Sequence, residues 1–267
     1  SIFDSNAFGS PPGESFGKES ITTLQVISFG RTSGNGSNIG NYATLFLSGE
    51  VDAELAFVEN FGEIAVAGAE SVFSVGPLIN HDTLRLVEGT LRLLEGNEFG
   101  SRSRIIGTGT VESSLPISAP YLIIPGDEFI GQLIFDNDLI LSPTNILRVQ
   151  LGDGGRADQI VEAGSMPLAL AGTLELGLFE DYQPTAADSF SILRTNQPIT
   201  GSFGSRGDGD RVNIPGTGSF RMNYIESEPG VHEVVLSDFS AELFFEVIHI
   251  DADASGFSSK EPNNSNI

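Results

Sequence analysis

Asp158-Gln-Ile-Val-Glu-Ala-Gly164, Leu168-Ala-Leu-Ala-Gly-Thr-Leu-Glu-Leu-Gly-Leu178, Asp188-Ser-Phe-Ser-Ile-Leu193 and Gly201-Ser-Phe203 are the segments that decide the fold. Leu168, Leu170, Leu174, Leu176 and Leu178 alternate with polar or small residues, and period-two alternation marks a half-buried β-strand. Gly172, Pro184 and Gly201 interrupt the runs before any becomes long. Helical spacing is absent, so the block reads as a series of short paired strands.

The same texture extends outward in both directions. Toward the N-terminus, short strands are predicted at 44–47, 53–58, 63–66, 71–75, 83–86, 90–93, 122–124, 132–135 and 146–149. Asn60-Phe-Gly-Glu-Ile-Ala-Val66 and Asn80-His-Asp-Thr-Leu-Arg-Leu86 nearly repeat. Their spacing is about one coil of a β-helix, and self-similarity at a fixed period is the signature of a solenoid. Asn60 and Asn80 are expected to stack at equivalent corners with their amides bonded along the axis. Leu84, Leu86, Leu91 and Leu93 should face the interior, with Arg85 and Arg92 outside. Toward the C-terminus, Phe220-Arg-Met-Asn-Tyr-Ile225 and His232-Glu-Val-Val-Leu236 flank Glu228-Pro-Gly230 and read as a closing hairpin. A cap is required because an open solenoid end exposes unpaired N–H and C=O groups.

The 158–203 block resembles the end of the parallel β-helix in secreted bacterial passenger-type proteins, the autotransporter passengers and related surface proteins. These carry a D-x-[LI]-x-V-x-G run, a G-x-L-x-[VL] strand, a G-[DS]-x-F-x-[IL]-L strand and a G-x-F turn. This chain has Ala187-Asp188 where that pattern has Gly-Asp. Ile105-Ile-Gly-Thr-Gly-Thr-Val111 and the run from Tyr121 to Phe135 resemble passenger-type coils more loosely, Glu128 and Phe129 standing where a Ser is common. The resemblance implies a parallel β-helix and an extracellular or cell-surface location. It implies no chemistry, because one scaffold carries adhesins, fibre proteins and enzymes.

Composition narrows the function classes. With 13 Lys and Arg against 36 Asp and Glu, the net charge is −23, which repels nucleic acid and anionic membranes. Cysteine is absent, so ladders and packing must supply the stability. No apolar run is long enough to span a membrane. Ser1-Ile-Phe-Asp4 lacks a basic segment followed by an apolar one, and the expectation is a processed secreted chain.

Candidate sites are few. His81, His232 and His249 lack zinc-ligand spacing. There is no G-x-S-x-G elbow, and Gly107-Thr-Gly109 is not followed by a helix as a dinucleotide loop requires. Carboxylates are plentiful, but sugar-binding platforms are scarce, with no Trp and 4 Tyr; the chain is read as not an enzyme. Gly152-Asp-Gly-Gly-Arg-Ala-Asp158 and Arg206-Gly-Asp-Gly-Asp210 are acidic turns, and calcium is the metal they would take through Asp153, Asp158, Asp208 and Asp210. No organic cofactor is expected. Arg206-Gly207-Asp208 spells an integrin tripeptide, which a Gly/Asp-rich loop produces by chance.

The sequence therefore predicts an all-β protein, a short right-handed parallel β-helix closed by a β-hairpin cap, with extended N- and C-terminal arms. The divisions are an arm and first strand at 1–40, the β-helix body at 41–200, the cap at 201–238, and a strand and polar tail at 239–267. Function follows from the arms. Phe3, Phe8 and Phe16 have no core of their own, and Leu243, Phe245 and Val247 lie on a strand apolar on both faces. Such segments are suited to strand complementation. The expectation is an extracellular structural subunit that self-associates into a fibre, sheath or surface layer, without nucleic acid and without a membrane span. The alternatives are a monomeric adhesin or binding module and, behind it, a carbohydrate-active β-helix enzyme.

Overall fold

A computed structural model describes residues 57–242 throughout and, before them, the strands Thr23–Val26, Thr32–Ser33, Asn38–Asn41, Thr44–Ser48 and Asp52–Leu55. It is 60% strand and forms a β-solenoid of about 5 turns. Phe3, Phe8, Phe16, Leu243, Phe245, Val247 and His249 lie outside the described residues.

Each coil lays its strands in parallel on those of the next. On one face Leu45 pairs with Ile64, Ile64 with Leu84, Leu84 with Ile105, Ile105 with Ile123, Ile123 with Leu147 and Leu147 with Leu174. All of these side chains are buried. The result is a continuous apolar ladder along the axis, each rung filling the pleat above the last. On a second face Phe73, Leu91, Val111 and Phe135 form another. The next positions in that register are Glu162 and Thr195, so the apolar ladder ends on a buried polar pair.

Leu84, Leu86, Leu91 and Leu93 are interior as predicted. Arg85 and Arg92 point outward, with Nε 3.0 Å from Glu63 and 2.7 Å from Glu112. The two predicted strands 83–86 and 90–93 are one strand, Thr83–Leu93, whose register shifts between Val87 and Thr90. Gly89 makes the bend feasible, since a Cβ there would lie 2.7 Å from the Val66 side chain.

The corners are held by side chains. Asn60 Nδ2 donates to Asn80 Oδ1 at 2.6 Å, across 20 residues, and also to the carbonyls of Gly62 and Thr83. Asn80 Nδ2 donates to Asp82 O at 2.8 Å. Both amides are fully buried, and the backbone register places Asn41 opposite Asn60. The expected stacked corner is present. Its physical logic is that the turn carbonyls, removed from water, need donors.

The C-terminal end is closed by the hairpin of Gly218–Glu228 and Val231–Ala241. Its second strand pairs antiparallel with Phe190–Thr195, the last strand of the second face. That strand does not end near residue 238. It runs on to Ala241, and Phe239 packs on Phe220 with ring centroids 5.0 Å apart. On the outer strand, Met222 and Tyr224 exchange hydrogen bonds with Gly209, Asp210 and the Asp208 carboxylate. Beyond them come Glu226 and Glu228, both exposed. Charge on an edge that no described strand covers deters further strand addition.

Candidate functional site: stacked loops at one corner

The corner joining the first two faces changes along the axis. It is tight at Glu88–Gly89 and widens to loops at 126–131, 152–158 and 179–189. These three loops touch. A Cβ on Gly152 would lie 2.5 Å from Ile130 Cδ1 and 3.8 Å from Phe179 Cβ. One on Gly155 would lie 3.4 Å from Ser189 O. Loops on a rigid solenoid are where binding residues are displayed.

Asp158 is the clamp of this stack. Its side chain is fully buried. Oδ1 accepts from Gly131 N and Oδ2 from Gln150 N, both at 2.9 Å. Gly126, at φ 83°, faces it closely enough that a Cβ would sit 2.5 Å from Oδ1. One carboxylate thereby ties loop 126–131 to the strand Ile146–Leu151 and to its own coil. Burial pushes its pKa up to about 6, against the lowering effect of the amides of Gly131 and Gln150.

Asp153 faces the other way. It is exposed and pairs with Arg156 in the same loop, Nε lying 3.1 Å away. The two aspartates of the Gly152–Asp158 motif thus have separate partners. In the next loop Asp188 Oδ2 accepts from Tyr182 Oη and Thr185 N, each at 2.6 Å. The Tyr182 hydroxyl lowers the Asp188 pKa, and burial together with this carboxylate raises that of Tyr182. The loop is braced from within.

Aromatic and acidic side chains are exposed on these loops. Phe129 is 73% exposed. Glu128, Glu180 and Asp181 are exposed and have no ion-pair partner among the described residues. Asp127 is engaged by Arg85. Sequence reasoning missed this cluster. The signal was an apolar Phe129 in a turn bounded by Pro125-Gly126 and Gly131, where passenger-type coils carry Ser.

Asp208 and Asp210 lie in the cap. Asp208 Oδ1 accepts from Tyr224 N at 2.7 Å, and Asp210 Oδ2 from Gly207 N at 2.8 Å. They are not brought to Asp153 or Asp158 by any hydrogen bond or ion pair among the described residues. Among the described residues no three His, Asp or Glu are grouped so as to hold a metal ion. His81 stacks on Phe61 at a centroid distance of 4.5 Å, and its Nε2 is 3.4 Å from Glu59. His232 belongs to the hairpin, opposite Glu226 and Thr195.

A second buried acidic corner lies at Glu162. Thr195 Oγ1 donates to its Oε2 at 2.5 Å. Asp138 beside it accepts from Ser165 N at 2.6 Å and Met166 N at 2.8 Å. Burial is the main cause raising the Glu162 pKa, and Asp138 adds to it. These carboxylates also bind backbone, which is the work of a fastener. No family model matches the chain, and a search of curated proteins finds no significant match.

Proposed function

We propose that the chain is an extracellular structural subunit of the passenger type, whose solenoid body is a rigid acidic rod and whose ends mediate assembly into a fibre, sheath or surface layer. The observation that carries this reading is the unbroken interior ladder from Leu45 to Leu174, with Asn60, Asn80, Asn145 and Asp158 at its corners hydrogen-bonded to backbone. Such a body supplies shape and stiffness. The hairpin closes one end of the second face, which favours donation of an arm over end-to-end stacking. Residues 243–250, with Leu243, Phe245 and Val247, and the N-terminal arm with Phe3, Phe8 and Phe16, are the proposed donors. A heterologous contact of this kind propagates into a filament.

Light scattering and negative-stain microscopy of the full chain, with and without calcium, test the proposal. Removing residues 243–267, or separately 1–20, should turn assemblies into monomers while the β circular dichroism spectrum persists. Full-length protein that stays monomeric at high concentration overturns it. The second reading, a monomeric binding module, then takes its place. Its support is the 73% exposure of Phe129 on a braced loop stack.

A further inference from the structure

We propose that the loop stack at 126–131, 152–158 and 179–189 is a docking surface for a basic, amphipathic segment of another protein. The apolar centre is Phe129, Ile130 and Phe179. Ile130 fills the space that Gly152 leaves open, and Phe179 adjoins the same glycine. Phe129, next to Ile130 in the chain, is 73% exposed. A large aromatic side chain left in water on a loop held by a buried clamp is an anchor of the kind that dominates interfaces.

The rim gives the sign of the partner. Glu128, Glu180 and Asp181 are exposed and have no ion-pair partner among the described residues. The nearby cations are already engaged, Arg156 by Asp153 and Arg85 by Glu63 and Asp127. The surface therefore offers apolar area on loops whose exposed carboxylates outnumber their cations, Glu180 sharing the field of Arg156 with Asp153. It complements a segment that alternates or intersperses Lys or Arg with apolar residues.

Charge also excludes the occupants closest to hand. Residues 1–20 carry Asp4, Glu14 and Glu19 against Lys18, and residues 243–267 carry Glu246, Asp251, Asp253 and Glu261 against Lys260. Both arms are acidic. A second copy of the chain brings a further charge of −23. Each would be repelled from this rim, whereas a basic partner would be steered toward it. The surface is independent of the self-assembly proposed above and uses a different part of the molecule.

The experiment uses the full chain and a short fluorescein-labelled peptide alternating lysine with leucine, read by fluorescence anisotropy. Companion peptides alternate lysine with serine and glutamate with leucine. The lysine–leucine peptide should bind more tightly than either companion, with affinity falling as salt rises. Phe129→Ser should weaken it at least about fivefold, and Glu128→Gln/Glu180→Gln/Asp181→Asn by a similar factor. A control triple, Glu95→Gln/Glu98→Gln/Glu228→Gln, removes the same charge elsewhere and should change affinity less than about twofold. Because Phe129 lies in solvent, its replacement does not threaten the core. The proposal is overturned if the lysine–serine peptide binds equally well, if Phe129→Ser has no effect, if the control triple matches the site triple, or if no lysine–leucine binding is seen. Each of these outcomes leaves the assembly reading untouched, since the readout there is particle mass.

Discussion

Replacing Asp158 by Asn tests the account of the loop clamp through its dependence on pH. The carboxyl is fully buried, its pKa raised from 3.8 to about 6 by that burial. The folded protein therefore holds a proton between about pH 4 and 6 that the unfolded chain has released. Stability from this group is full below pH 4 and declines as pH rises through 6. A shift of about two units corresponds to roughly 3 kcal/mol as an upper bound. The replacement side chain cannot titrate, and its one oxygen can accept from only one of the amides of Gly131 and Gln150, whereas the hydroxyl oxygen of the neutral acid keeps a lone pair for the second. Asp158→Asn should thus lie below wild type near pH 4, by about 1–3 kcal/mol for the amide left unpaired. By pH 7 the variant should have gained on wild type by up to about 3 kcal/mol, or roughly 6–12 °C in melting temperature. Urea unfolding at half-unit pH steps measures the difference. Subtracting the two curves removes Glu162 and Asp136, whose raised pKa values give the same direction of slope. A stability difference that is flat with pH, or that moves against the variant as pH rises, refutes the reasoning. The latter would mean that the two backbone amides outweigh desolvation.

Leu84→Ala should destabilise by about 2–5 kcal/mol in urea unfolding, because the fully buried rung between Ile64 and Ile105 leaves a cavity. Asn60→Ala strands the Thr83 carbonyl and the Asn80 side-chain oxygen; a loss of about 1–3 kcal/mol is expected, while a neutral result would mean that water reaches the corner. Chelation by EDTA should leave the melting temperature unchanged, since Asp153, Asp158, Asp208 and Asp210 each have protein hydrogen-bond partners; a drop would place a cation among them.

The solenoid was legible because its determinants repeat locally. Alternation at Leu84 and Leu86 reports which side of a strand is interior, and two asparagines one coil apart report a shared corner. The Gly152–Asp158 loop was legible only as a turn. Its two aspartates look equivalent in sequence, but one sits on the surface and the other reaches Gly131, which lies 27 residues earlier in the chain. Coil stacking creates that neighbour, and no local pattern encodes it. Glu162 is similar. In sequence it is one polar residue after Val161, and its burial follows from the register with Phe135 and Thr195. The single strand Thr83–Leu93 escaped notice because Glu88-Gly89 has turn composition, whereas here it is a bulge.

The interval between stacked residues varies along the axis, from 20 at Asn60 and Asn80 to 18 at Ile105 and Ile123 and 27 at Gln132 and Gln159. The interior ladder is nonetheless unbroken from Leu45 to Leu174. Added chain is absorbed at a corner, and the faces do not register it. Sequence length and structural alignment are therefore separate variables in this molecule. The loop at 179–189 can accept foreign residues as a display position: Ala186 and Ala187 are both exposed, inside the turn that Asp188 N closes on Thr185 O at 3.1 Å, so an insert between them lengthens that turn and no strand. An insert placed there would project from the corner of a stiff scaffold without asking any strand to move.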